Sequence, residues 1–395
     1  MTETFKVAIG PQHPALKEPG HFDLAVDGET VVNASVRLGY AHRGIEKMVE
    51  SNNWVQNLYL LERVCGICSH THAMTYALGV EALAGVEAPP RAQAIRTLVA
   101  EMERIHSHML WLGVAAHEAG FETLFMYSWR DREAILGALE ALCGNRVNYS
   151  VNVLGGVKFD VTDEIAATIR AAVDHLEPRT EHYLKVVQKD TAFLQRTRGI
   201  AVMTADQAEW LGVLGPTARA SGVARDVRVD APYISYDTYV PEVIVAQDGD
   251  LAARCEVRVR ELFESYRLIR EILDTLPEGD LTARMKRKIP AGEVIQRVEA
   301  PRGEAFYFIK STGGDSPDRV KVRTPTTNNI ATVATLSVGA QLADVPMILA
   351  GVDPCFSCND RMVRVQHRDN DAQLMRWADL RQYGIDFYQN KEAHQ

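Results

Sequence analysis

The chain has 395 residues, 46% of them hydrophobic and 24% charged, with a net charge of −9. That composition is ordinary for a globular protein with a large core, and its acidic balance argues against a nucleic-acid binder. No apolar run is long enough to span a bilayer, the start MTETFKVAIG carries no secretory pattern, and six cysteines are too few for a disulfide scaffold, so the reading is cytosolic with thiols kept reduced.

In chain order, FDLAVDGETVVNASVRL alternates like two strands around Asp27-Gly28, a hairpin signal. From about Trp54 the pattern turns helical, and Pro89-Pro90 ends one helix and begins another. In that next helix Ile95, Leu98, Val99, Met102, Ile105, Met109 and Leu112 recur at three- and four-residue spacing and form one long buried stripe. Further helices are expected over Asp131 to Cys143, over Thr162 to Asp190 with Pro178 as a break or kink, and over Leu251 to Leu276. LGPTARASG, DAPYISYD and PEGD read as irregular. After Pro290 come strands, then a helix from about Asn329 to Ala343, then the short apolar run MILAGV. The fold class expected is mainly α (α+β), a central helical bundle with small peripheral β elements. It is read as one domain over 1–395: a β-rich part over 1–50, a bundle over 51–290, a C-terminal metal-binding part over 291–361 and a tail over 362–395.

Two Cys-x-x-Cys pairs stand at opposite ends, in RVCGICSHTH and DPCFSCNDR. Thiolates are soft ligands, and four of them from two loops complete a soft metal site. A structural zinc usually takes pairs about 15–20 residues apart, and a thioredoxin-like redox pair needs one motif in a βαβ setting, which is absent here. The long separation favours a catalytic metal. Cys65 and Cys68 open a helical segment, which favours thiolates. His72 lies one turn after Cys68 and could donate an N–H to its sulfur. His70 has no such claim. Cys143 and Cys255 fit no pair and read as buried hydrophobes. His106, His108 and His117 read as packing or surface residues.

These pairs, with GPQHPALKEPGHF, GYAHRGIEK, LGPTARASG, DAPYISYD, EAPRGEAFYFI and VRTPTTNN in order, resemble the large subunit of nickel–iron hydrogenases. The likeness is to the group 4 energy-converting, membrane-bound branch, related to the 49 kDa subunit of complex I. It covers essentially the whole chain. Complex I relatives generally lack the four cysteines, so hydrogenase is the preferred reading and a quinone-reducing complex I core subunit the alternative. NAD and quinone binding belong to that kinship. A structural-zinc scaffold and a sulfur-reducing relative are weaker rivals.

The resemblance implies that Cys65, Cys68, Cys355 and Cys358 bind nickel, with Cys68 and Cys358 bridging to an iron that carries carbon monoxide and cyanide. It implies Arg302 over the open metal position, Asp353 orienting the site, and Glu18 as first proton relay. Thr324, Pro325 and Thr326 would hold the cyanides, and Glu46 would bind magnesium or order the C-terminus. Arg361 stands where many relatives have histidine, so cleavage between Arg361 and Met362 during maturation is expected, with a retained tail as the rival: RMVRVQ reads as a strand and DAQLMRWADLRQYG as a helix. An iron–sulfur cluster must sit in a small partner subunit. Ferredoxin-like and complex I-like accessory subunits, integral ion-pumping proteins and ferredoxin complete the implied partners. The place implied is the cytoplasmic side of the membrane, peripherally attached.

Overall fold

The computed structural model describes residues 4–359, 364–365, 373–374 and 377–389. The chain opens with β1 (Phe5–Ile9), β2 (His21–Asp27) and β3 (Thr30–Arg37), an antiparallel sheet in that order. The hairpin expected at Asp27-Gly28 joins β2 to β3, with Asp27 opposite Thr30. Short α1 (Ile45–Val49) leads to α2 (Trp54–Glu62), α3 (Ser69–Ala84), α4 (Pro90–Glu118) and α5 (Glu122–Cys143). The minor pair β4 (Asn152–Val153) and β5 (Gly156–Val157) precedes α6 (Asp163–Lys189).

An irregular stretch carries α7 (Thr191–Gln195), α8 (Ala205–Trp210), α9 (Pro216–Arg219) and α10 (Val227–Asp230), and then α11 (Leu251–Asp274) returns to the bundle. A second antiparallel sheet, β6 (Gly292–Ala300), β7 (Gly303–Ser311) and β8 (Arg319–Arg323), has α3 packed on β6 and β7. The chain continues with α12 (Pro325–Ser337), α13 (Val345–Val352), α14 (Phe356–Asn359), the pair β9 (Arg364–Val365) and β10 (Gln373–Leu374), and α15 (Trp377–Gln389). The expectation of a mainly helical bundle with small β elements holds. Among the described residues no helix is long and apolar enough to cross a membrane.

The main core lies between α4, α5, α6 and α11. All seven positions of the expected stripe on α4 are buried. Burying such a side chain contributes about 1.5–3 kcal/mol. The helix is more than amphipathic, because Arg96, Glu101, Glu103, Arg104, His106 and His108 are buried too. It runs through the centre, and its charges find partners on other elements. Arg96 Nη2 meets Glu81 at 2.6 Å, Arg228 Nη1 meets Glu101 at 3.0 Å, and His108 Nε2 meets Glu261 at 2.8 Å. Arg219 then joins Glu261 and Glu299, each at 2.9 Å.

Several elements differ from expectation, among them α12, which ends at Ser337 rather than Ala343. The helix through Asp131 starts earlier, at Glu122. Of the break or kink expected at Pro178, the break is absent: α6 continues through this exposed proline, where the carbonyl it frees can face water. α12 begins at Pro325 rather than Asn329: proline at the first helical position gives up an N–H that has no helical partner anyway. MILAGV belongs to a helix, α13, likewise opened by a proline. In the tail, two residues of the expected strand form β9, whereas the expected helix starts only at Trp377 as α15, and Gln373 and Leu374, expected to be helical, pair with β9 as β10.

Candidate metal centre

The fold brings the two cysteine pairs together. The Sγ atoms of Cys65 and Cys355 lie 3.5 Å apart across 290 residues of chain. All four thiols are buried, in one apolar cluster with Val64, Tyr76 and Tyr307. The first pair hangs on the entrance of α3, with Cys68 at its N-cap. The N–H groups of Ile67 and Cys68 both donate to the Cys65 sulfur at 3.3 Å. Of the second pair, Cys355 stands just before the single turn of α14 and Cys358 within it, and the Cys358 thiol donates to the Cys355 carbonyl at 3.3 Å.

The donor set fits a soft divalent metal. Hydrogen bonds from Cys355, Cys358 and Cys68 hold the Cys65 thiol well below its ordinary range. The bond to Cys65 and burial push Cys68 well above its own. Cys355 is pushed up by its bond to Cys358, then by that to Cys65 and by burial. Four buried sulfurs at this spacing cannot all ionise against one another, and a bound cation removes that conflict. A buried guanidinium already answers part of the charge. Arg302 is held strongly protonated by Asp353, Cys355, Cys65 and Cys68, against the burial that opposes it. Its Nη1 has no hydrogen-bond partner among the described residues, nor has Asp353 Oδ2.

Arg302 and Asp353 form one unit. Arg302 Nε donates to the Asp353 carbonyl and Nη2 to its carboxylate, both at 2.9 Å. Asp353 ends α13 at φ 55°, a left-handed conformation that a non-glycine residue adopts at a strain of about 1–3 kcal/mol. The arginine grips it on both sides. Arg302 is itself fixed from behind. Gly303 at φ 124° and Gly215 at φ 65° touch backbone to backbone, and a Cβ on Gly215 would lie 2.5 Å from the Arg302 carbonyl oxygen. This contact gives LGPTARASG and EAPRG a physical reason to lie side by side.

Of the remaining candidates, Thr326 Oγ1 accepts the Cys355 N–H at 3.1 Å, and Thr324 and Pro325 form the entrance of α12. Glu18 accepts the Ser357 N–H at 2.9 Å and its hydroxyl, between the two cysteines of the second pair. The ligating atoms of His72, Cys65 and Cys68 lie within 4.8 Å of one another, and His72 Nδ1 meets the Tyr307 hydroxyl at 2.8 Å. Glu46 accepts the Val322 N–H at 3.0 Å and faces Lys321 at 3.4 Å. No trio of metal-binding side chains gathers around it among the described residues. Arg361 and Met362 lie outside the described residues.

Four supporting residues escaped the sequence reading. Arg43 ties the two loops together: Nη1 donates to the Arg63 carbonyl at 2.7 Å, and Nη2 to the carbonyls of Val64 at 2.7 Å and Ser357 at 3.0 Å. His70 is no bystander. It is buried, its Nε2 donates to the Arg96 carbonyl at 3.0 Å, and its Nδ1 accepts from Asn152 at 3.0 Å. His106 does the same for the first loop, donating to the Ile67 carbonyl at 2.9 Å while Arg132 donates to its other nitrogen at 2.8 Å. Glu103 accepts the N–H groups of His70 at 2.7 Å and Thr71 at 3.0 Å, and the Thr71 hydroxyl at 2.5 Å. Cys143 and Cys255 are buried and unbridged, and His117 is exposed beside Glu122 at 2.7 Å.

Comparison with known proteins agrees with this geometry. The family model described as the respiratory-chain NADH dehydrogenase 49 kDa subunit matches residues 118–361, and that of nickel-dependent hydrogenase matches 43–113. A carbon monoxide-induced hydrogenase of Rhodospirillum rubrum is 40% identical, over 91% of this chain and 99% of that protein. The membrane-bound hydrogenase subunit alpha of Pyrococcus furiosus is 39% identical, over 91% and 88%. A subunit of the NADH-quinone oxidoreductase of Clostridium beijerinckii is 34% identical, over 91% and 98%. Among solved structures, a chain of the membrane-bound sulfane sulfur reductase, an archaeal respiratory membrane complex, matches with a TM-score of 0.87 at 34% identity, over 91% of this chain and 99% of that one.

Proposed function

The chain belongs to the family of the respiratory-chain NADH dehydrogenase 49 kDa subunit and the nickel-dependent hydrogenases, and on that premise we propose that it is the catalytic subunit of a membrane-associated nickel–iron hydrogenase. The observation that carries this reading is the meeting of four buried thiols from the two ends of the chain, 3.5 Å apart at Cys65 and Cys355. The reaction is the reversible conversion of dihydrogen to two protons and two electrons. A nickel–iron centre, when bound, supplies the place where dihydrogen is polarised, with carbon monoxide and cyanide on its iron.

The chain's own residues then have distinct tasks. Cys65, Cys68, Cys355 and Cys358 would hold the nickel–iron centre through their four sulfurs. Arg302, kept cationic in a buried setting, faces the sulfurs, and Asp353 fixes its direction. Glu18, on the N–H and hydroxyl of Ser357, takes up the released proton and passes it outward. His72 would orient the first loop by an N–H to sulfur, and Thr324, Pro325 and Thr326 would hold the cyanide ligands. The two remaining cysteines are single and buried, so the electrons leave to an iron–sulfur cluster on a small partner subunit.

Relatives named as membrane-bound hydrogenase and formate hydrogenlyase subunits support a larger assembly. We infer that it includes ferredoxin-like, complex I-like and integral ion-pumping subunits, sits on the cytoplasmic face and exchanges electrons with ferredoxin. Relatives named as quinone oxidoreductases support the rival reading, a quinone-reducing core subunit, to which NAD- and quinone-linked chemistry belongs. The test is infrared spectroscopy of the complex purified without oxygen, with nickel and iron measured on the same sample. Carbonyl and cyanide bands with both metals present are expected. Their absence, from cells that mature other hydrogenases, sinks the hydrogenase reading. Cleavage after Arg361 is read from the same sample by intact mass: active enzyme that still carries 362–395 ends that idea.

A further inference from the structure

A helix begins with N–H groups that have no partner inside it, and an N-cap side chain normally turns back to accept them. Cys68 holds the N-cap position of α3 and makes no such bond. The bonds are made by Glu103, reaching across from α4. Its two oxygens accept the N–H groups of His70 and Thr71, the second and third residues of the helix and those an N-cap side chain would serve. The Thr71 hydroxyl adds a third bond. Glu103 is fully buried, and among the described residues no Lys, Arg or His lies at ion-pair distance from it. Burial pushes its carboxyl up to about 8, and the three donors work against that push. Such a carboxyl is held there by the first turn of α3: two N–H groups and the Thr71 hydroxyl.

We propose that Glu103 is a positioning residue of the metal centre: it caps α3 in place of Cys68, which leaves the Cys68 sulfur to the metal and fixes the angle at which the first loop meets the helix. A thiol turned back onto His70 or Thr71 would spend on the helix a sulfur that the metal needs. Capping and ligation are competing uses of one side chain, and the fold assigns them to two residues on two helices. The role in metal binding rests on the hydrogenase reading, whereas the capping does not.

Three forms of the full chain separate these statements: wild type, Glu103→Gln and Glu103→Ala. Glutamine keeps the length and one acceptor oxygen, and alanine keeps neither. In the matured complex, Glu103→Ala is expected to lose nickel several-fold and to shift and broaden the carbonyl and cyanide bands. Glu103→Gln should restore most of the nickel and show bands displaced from wild type at an unchanged thermal midpoint. In the metal-free chain, amide exchange at His70 and Thr71 should speed up roughly tenfold in the alanine form, in line with loss of an N-cap. Wild-type nickel and unchanged bands in Glu103→Ala would overturn the positioning role. So would equal nickel loss in both variants that merely tracks a lowered thermal midpoint. If the wild type itself lacks nickel, the hydrogenase reading fails. The cap is then judged on exchange alone, and unchanged rates at His70 and Thr71 overturn it.

Discussion

The two cysteine loops supply the same ligands and are built in opposite ways. The first is supported next to itself: its own N–H groups donate to the Cys65 sulfur, a 16-residue helix follows, and neighbouring α4 holds it through Glu103 and His106. The second has only one turn of helix and hangs from distant parts of the chain. Arg302 grips Asp353, Thr326 holds the Cys355 N–H, Glu18 holds Ser357, and Arg43 reaches the Ser357 carbonyl. The first loop adds a long helix of its own to its tertiary contacts, and the second rests almost wholly on tertiary contacts. Perturbation should therefore travel differently through each.

The largest expected effect treats the loops alike. Cys65→Ser and Cys355→Ser should each bring nickel to background and abolish hydrogen evolution from reduced dye, because both loops complete one donor set. Nickel retained by either variant would show that the loops do not share a metal.

Next in size, Arg302→Ala should separate them. It leaves Asp353 buried and unpaired, a loss of about 3–5 kcal/mol. Amide exchange should accelerate over residues 353–358 and stay near wild type over 65–72. Equal acceleration in both loops would break the contrast between them. The double variant Arg302→Ala with Asp353→Ala should recover part of the loss.

A smaller change tests the same loop. Thr326→Val removes the acceptor of the buried Cys355 N–H, worth about 1–3 kcal/mol. Nickel should then leave faster under a chelator, and Thr326→Ser should restore the wild-type rate. An effect of similar size belongs to the first loop and depends on pH. Burial, aided by Arg132, pushes His106 down to about 3. The unfolded chain, with histidine near 6.5, therefore binds more protons between those values. The stability held by neutral His106 is complete above pH 6.5 and falls as pH drops towards 3, by up to about 1.4 kcal/mol per unit. Urea midpoints of wild type and His106→Gln in the metal-free chain, each at pH 7 and 5, measure it: the variant should lose that share of the difference, while His70, also pushed down to about 3 by burial, and Glu103, pushed up to about 8 by burial, act alike in both.

Both cysteine pairs, the first hairpin and the stripe on α4 were legible because each is a short-range pattern. Arg302 and Asp353 came through family resemblance, and the structure adds the left-handed turn that joins them. Glu103, Arg43 and His106 were not legible. Each is a charged or polar residue whose partner lies on another element, Arg43 and Ser357 being 314 residues apart. Glu103 and Arg104 fall outside the apolar stripe of α4, and only tertiary packing buries them. The helix starts at Pro325 and Pro346 escape for a local reason: a proline interrupts an apolar pattern, yet in the first turn of a helix it marks a beginning.

The 290 residues between Cys65 and Cys355 also set a clock. At roughly 5–20 residues per second, a ribosome needs about 15–60 s to make the second loop after the first has emerged. Throughout that interval the first pair of thiols exists without its partners. Metal delivery to a complete four-sulfur site must therefore follow synthesis of nearly the whole polypeptide, and the cell must keep Cys65 and Cys68 reduced and unclaimed while it waits.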